Sequence, residues 1–181
     1  VTAVHAQQDG RAGLVIVGED GVVQTACVAF SEETISGYEL LSRSGLEVTV
    51  DVSGAGTAVC AIEGAGCPAD DCFCSCKGGG DCTYWSYWLA GDEGWQYARA
   101  GAQQVRVSAG DVQGWTWDAG SVTSAIEPPG MAFDDVCPAG EQSTVNGQQS
   151  TNNGGAPRLP FIVIGIGVVG LVLFYVRRRS G

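Results

Sequence analysis

Histidine is almost missing from this chain. The only one, His5, lies within the first six residues. Beyond that point there is no Ser/His/Asp or Cys/His set for nucleophilic catalysis. There is also no imidazole for a mixed Cys/His metal site. Positive charge is scarce: nine Lys and Arg stand against 20 Asp and Glu. Three of the nine form the run Arg177-Arg178-Arg179, and every acid lies before residue 142. The chain ahead of that run therefore carries six cations against 20 acids, a net of −14. Such a surface repels phosphate backbones and anionic headgroups and tolerates neutral or cationic ligands. It also serves solubility alone. The acid pairs Asp70-Asp71 and Asp134-Asp135 sit in loop-like sequence without a partner base. The chain is expected not to be an enzyme.

Eight cysteines and 28 glycines are what the chain has in their place. Glycine at that level favours turns and short strands over long helices. Cys67, Cys72, Cys74 and Cys76 fall within ten residues, in a stretch marked by Pro68 and by Gly78-Gly79-Gly80, with Cys60 before them and Cys82 after. Thiolates in such a cluster suit soft metals. No CxxC pair is present, however, and an even count in an exported chain reads as a disulfide framework. Cys27, Cys60, Cys67, Cys72, Cys74, Cys76, Cys82 and Cys137 are all expected to be disulfide-bonded, with no metal. Eight cysteines allow about 105 pairings, so spacing leaves the connectivity open.

The two ends carry export signals. Val4-His5-Ala6 before Gln7 has the small-residue pattern left of a signal-peptidase cut. Residues 1–11 are read as a signal-peptide remnant and disordered N-terminus. Residues 159–176 run eighteen positions without a charge, about 27 Å as a helix. Tyr175 sits where an interfacial aromatic belongs, and the arginines of the tail at 177–181 keep that end cytoplasmic. A sortase motif would need Thr-Gly after Leu159-Pro160, and Phe161-Ile162 stands there instead. The expectation is a single-pass anchor with the head outside the cell. Residues 138–158, rich in Gly, Ser, Thr, Asn and Gln, are expected to form a flexible stalk.

The head, residues 12–137, reads as α+β and mostly β. Apolar runs on either side of Gly18-Glu19-Asp20-Gly21 predict a hairpin. Ser36 and Glu39 have capping-box spacing, and Gly45 can close a helix over 35–44. Alternation at Leu46, Val48, Val50 and Val52 predicts a half-exposed strand, followed by another over 57–62. A helix laid across such a sheet is a β-grasp-like plan, with a cysteine-rich insertion at 60–82.

All five tryptophans fall between residues 85 and 117. Alternation in Tyr84-Trp85-Ser86-Tyr87-Trp88 puts rings on both faces, so that strand must be covered on both sides. Gly91-Asp92-Glu93-Gly94 turns it into Trp95-Gln96-Tyr97, a second hairpin. Residues 103–107 read as a further strand, and Trp115 and Trp117 share one face of a last one. These rings are either core or a flat aromatic floor for a large planar ligand.

The pieces ISGYELLSRSGLEV, VCAIEG, YWSYW and GDVQGWTW, spread over residues 12–118, resemble the transcobalamin-like C-terminal domain family. The YWSYW and GWTW pieces resemble those of bacterial exported forms that accompany energy-coupling-factor type transporters. The resemblance implies a β-grasp-type module that captures a cobalamin-like or related micronutrient for uptake. It implies ligand contacts from Tyr87, Trp88, Trp95, Tyr97, Trp115 and Trp117. In the animal carriers a helical α/α-barrel domain makes half of the cobalamin site. This chain has none, so the resemblance implies a separate barrel protein as partner.

Overall fold

A computed structural model of the chain describes residues 10–52, 57–76, 82–121, 123–139 and the backbone of 145–148. Residues 1–9 of the expected leader remnant and disordered N-terminus, most of the stalk, the apolar segment 159–176 and the basic tail lie outside the described residues. Gly10 and Arg11, read as the end of that disordered terminus, instead open the first strand, where they pair with Phe30 and Ala29. Among the described residues no helix is long and apolar enough to cross a membrane.

The elements follow in the order β1 (Gly10–Val17), β2 (Val23–Phe30), β3 (Ile35–Ser36), α1 (Gly37–Ser42), β4 (Val48–Asp51), β5 (Ala58–Ile62) and β6 (Ala65–Gly66). Two 3-10 turns, Ala69–Asp71 and Cys74–Cys76, carry the cysteine loop. Then come β7 (Cys82–Gly91), β8 (Gly94–Tyr97), β9 (Arg106–Val107), β10 (Val112–Gly120), α2 (Phe133–Val136) and β11 (Val145–Gln148). The head is a small, mostly β domain with four disulfides among its described residues.

The main sheet has the order β11-β2-β1-β10-β7-β8. Its centre is the parallel pair β1 and β10, registered Val15 to Gly114, and antiparallel hairpins flank that pair on each side. The first hairpin turns where Gly21 takes φ 72°, a left-handed conformation open to glycine. Small sheets β3-β9 and β4-β5-β6 lie apart from it.

Strand alternation gives the sheet two faces, and both are covered. Leu14, Ile16, Ala26, Val28, Trp85, Tyr87 and Trp115 point to the front, against Leu40 and Leu41 of α1 and Ile62 of β5. Val15 and Val112 point to the back, against Val136, with Trp95, Met131 and Phe133 around them. The chain after β10 thus straps the back of the sheet. The strap lies tight: a Cβ at Gly13 would fall 2.7 Å from a methyl of Val136, and one at Gly114 2.5 Å from the Pro128 ring. Cys27 on β2 is bonded to Cys137 and closes the strap.

Three elements differ from the sequence reading. Helix α1 is shorter than 35–44, because Ile35 and Ser36 are taken into a strand pairing with Val107 and Arg106. Its start is as the spacing predicts: Glu39 N–H donates to Ser36 Oγ at 3.1 Å, and Ser36 N–H donates to the Glu39 carboxylate at 2.8 Å. The strand expected over 103–107 is reduced to Arg106–Val107. The carbonyls of Ala102 and Val105 instead accept from the Tyr38 and Gly37 N–H groups, both at 3.1 Å. Those are orphan donors of the helix start, and satisfying them takes the chain out of a ladder. Finally, Val145–Gln148 lies inside the stretch read as stalk, yet pairs antiparallel with β2 from Val145–Ala26 to Gln148–Val23. The Cys27–Cys137 bond brings the chain to the β2 edge a few residues earlier, so closing this ladder costs little chain entropy.

Candidate functional site

The cysteine loop is stapled at three places. Cys60 of β5 bonds Cys72, Cys67 bonds Cys74, and Cys76 bonds Cys82 at the head of β7. No described cysteine is free, and no group of His, Cys, Asp and Glu among the described residues could hold a metal ion. Between Cys72 and Cys74 sits Phe73, with 53% of its surface exposed. Disulfides on both neighbours fix its backbone, so a large apolar ring is held in solvent by covalent bonds. Hydrophobic burial draws a flexible loop's phenylalanine inward. Here the staples leave little freedom to do so.

Phe73 stands at the rim of a cleft of about 370 Å³ between β5, the cysteine loop, β7 and the segment after β8. Trp85, Tyr87 and Trp115 reach its inner wall, and Tyr84, Tyr97 and Arg99 its outer part. Tyr84 and Tyr97 share a hydrogen bond between their hydroxyls at 3.1 Å. Burial, and then the neighbouring Tyr84 hydroxyl, push the Tyr97 phenol well above its ordinary range. Tyr97 therefore stays neutral, and Arg99, exposed at the mouth, supplies the cleft's positive charge.

The six rings expected to bind do not form one floor. The register pairs Tyr87 with Trp115 and Trp85 with Trp117 on the front face. Tyr87 stacks on Trp115 with centroids 4.4 Å apart, and its buried hydroxyl donates to Gln113 Oε1 at 2.6 Å. Trp117 is half-buried and tilted against Trp85 at 5.7 Å. Trp88, Trp95 and Tyr97 lie on the back face. Trp88 is buried, meets Tyr97 edge-on at 5.3 Å, and donates through its indole to Ser86 Oγ at 2.9 Å. Trp95 is half-buried, and its indole donates to the Pro129 carbonyl of the strap at 3.2 Å.

Burial sorts them further. Tyr87, Trp88 and Trp115 are core side chains, with only edges available to a ligand. Of the six, Tyr87, Tyr97 and Trp115 line the cleft, and Trp88, Trp95 and Trp117 do not. The cleft adds Phe73, Tyr84, Trp85 and Arg99, which the aromatic pattern did not single out. Phe73 had a readable signal: an apolar ring flanked on both sides by cysteines cannot easily retreat. One polar atom on this face is unmet, since the buried Trp115 Nε1 has no hydrogen-bond partner.

The family model of the SCO2322-like domain matches residues 79–151, from the start of the aromatic strand through β11. No curated protein matches the chain significantly. Among solved structures, the crystal structure of a candidate metal-binding protein from Ruminococcus gnavus ATCC 29149 is similar in outline. Its TM-score is 0.45 at 15% identity, covering 62% of this chain and 100% of that one.

Proposed function

We propose that this protein is an exported ligand-binding module, and that its binding surface is the cleft beneath Phe73. The observation that carries this reading is the clamped, exposed Phe73 over an aromatic wall. A ring held in solvent at the mouth of a cleft gains its contact area only when something binds. A cleft of about 370 Å³ is small for a site that encloses its ligand. It would grip one flat edge of a large ligand and leave the rest exposed.

The sheet order β2-β1-β10-β7-β8 with α1 across its front is the β-grasp order, which supports the likeness to transcobalamin-like domains. On that likeness the ligand is a corrinoid or a related micronutrient. A separate α/α-barrel protein covers its far side, and an energy-coupling-factor type transporter receives it. The apolar segment 159–176 anchors the module to the membrane, with the head outside and the arginine tail inside.

A titration tests this. The oxidised full chain in detergent is mixed with cobalamins, and tryptophan emission is read after correction for absorption. Trp85 and Trp115 line the cleft, so occupancy quenches them. Phe73→Ala should leave the fold intact, because the ring is exposed, and weaken binding roughly 10-fold or more. Trp115→Ala is a poor probe, since emptying that core position costs about 3–5 kcal/mol of stability. Absence of quenching by every corrinoid, with and without a barrel partner, removes the corrinoid reading. Phe73 also favours a second reading, a surface domain that docks a protein and takes no small molecule. Loss of a protein partner on Phe73→Ala, with no small-molecule binding, would establish it.

A further inference from the structure

The main sheet ends at β8, and among the described residues no strand pairs with its outer edge. The direction of its backbone groups follows from two facts. Asp92 and Glu93 form a two-residue turn between the paired Gly91 and Gly94, and the Ala98 N–H donates to the Tyr87 carbonyl at 2.8 Å. Alternate residues of an antiparallel strand bond to the same neighbour. Gly94, Gln96 and Ala98 therefore turn inward to β7, and Trp95 and Tyr97 turn their N–H and C=O groups outward. An open shelf of about 780 Å³ runs along this edge from Glu93 to Arg99. Apart from its shortness, the strand has none of the usual protections of a free edge. It holds no proline, no charge and no bulge.

We propose that β8 pairs antiparallel with β8 of a second copy of this chain, joining two heads through one continuous sheet. The register follows from the outward groups. All of them are used only when Trp95 of one copy faces Tyr97 of the other, with Gln96 facing Gln96 across the two-fold axis. Each Trp95–Tyr97 pair exchanges two backbone hydrogen bonds and sets two aromatic rings side by side. The same register brings Glu93 of each copy level with Arg99 of the other, so opposite charges meet at both ends of the pairing. Among the described residues neither forms an ion pair within the head, where the ion pairs join Arg43 to Glu32 and Glu39. An unrelated extended peptide could add to the edge, but this strand's own sequence supplies both charges and both rings in matching positions. The pairing is isologous and closes on itself, which protects the edge from further growth.

Sedimentation equilibrium of the oxidised full chain in detergent, over ~1 µM to ~1 mM, tests the pairing in the range a small interface occupies. The wild-type chain should move from monomer to dimer. Arg99→Glu should weaken the dimer at least ~10-fold, because the like charges appear twice. Glu93→Arg combined with Arg99→Glu should restore it to within ~3-fold of wild type, since the pair is only exchanged. Far-UV circular dichroism checks that both variants keep their fold. A wild-type chain that stays monomeric throughout overturns the proposal. So does a dimer indifferent to Arg99→Glu, which would join through another surface such as the apolar segment. A folded double variant that fails to recover overturns it as well.

Discussion

Tyr87 carries three duties in one side chain. Its ring stacks on Trp115, its hydroxyl donates to Gln113, and its burial fills the front of the sheet under α1. Burial pushes its phenol far above the ordinary range, as it does for Tyr97. The sign of the linkage is definite. With a folded pKa above the unfolded one, the folded state holds its proton longer. The stability is therefore complete below about pH 10 and falls as pH rises past it. Two such tyrosines predict a head that unfolds in alkali, with tyrosinate absorbance rising together with the loss of structure. Smooth ionisation of all five tyrosines near pH 10, with the fold intact, would contradict this. At the acid end the contribution is slight. The Arg43 guanidinium holds the Glu32 carboxyl down to about 2, but that pair lies at the solvent-exposed surface. What it adds is present above about 4.5, fades as pH falls towards 2, and is screened by salt.

Helix α1 shows how far local sequence determines an element. Six residues are too few to be helical alone. The helix exists because Ser36 and Glu39 cap it reciprocally and because Leu40 and Leu41 are fully buried. Ser36→Ala should cost about 1 kcal/mol in chemical denaturation, with the denaturant slope unchanged. A loss within error of zero would mean that packing alone holds the helix. Such motifs were legible in the sequence because they are short-range. The capping box, the Gly18–Gly21 turn and the Gly91–Gly94 turn each lie within four residues. Alternation likewise foretold that Trp85 and Trp88 would point to opposite faces. The failures are long-range. Residues 103–107 read as a strand, but the carbonyls of Ala102 and Val105 meet the start of α1, and nothing near them announces that contact. Residues 145–148 have the composition of a stalk and form a strand because a disulfide more than a hundred residues wide delivers them to β2. The cleft was hidden for the same reason: it lies where β5, the cysteine loop and the segment after β8 converge.

For the whole molecule, the four disulfides divide into two kinds. Three close short loops, with sequence separations of 12, 7 and 6, and shape the mouth of the cleft. The fourth spans 110 residues and ties the strap to β2. By loop-closure entropy a bond of the latter kind stabilises by up to about 5 kcal/mol, and one of the short ones by about half of that. Cys27–Cys137 also has a mechanical consequence. Tension applied beyond Gln148 first peels β11 from β2 and then reaches Cys137. From there it passes through sulfur directly to Cys27, and the chain between the two carries none of it. β10, β7, the cleft's lining residues and the edge strand β8 all sit within that shielded loop, whereas β1 precedes Cys27 and bears load applied from the N-terminal side. Pulled between its ends in an optical trap, the oxidised protein should lengthen only by its terminal segments. Adding a reductant should release roughly 350–400 Å more. If that length appears before reduction, the bond is not closing the loop. Otherwise the head behaves as a shackle, in which the load crosses at the Cys27–Cys137 bond and the segments lining the cleft bear none of it.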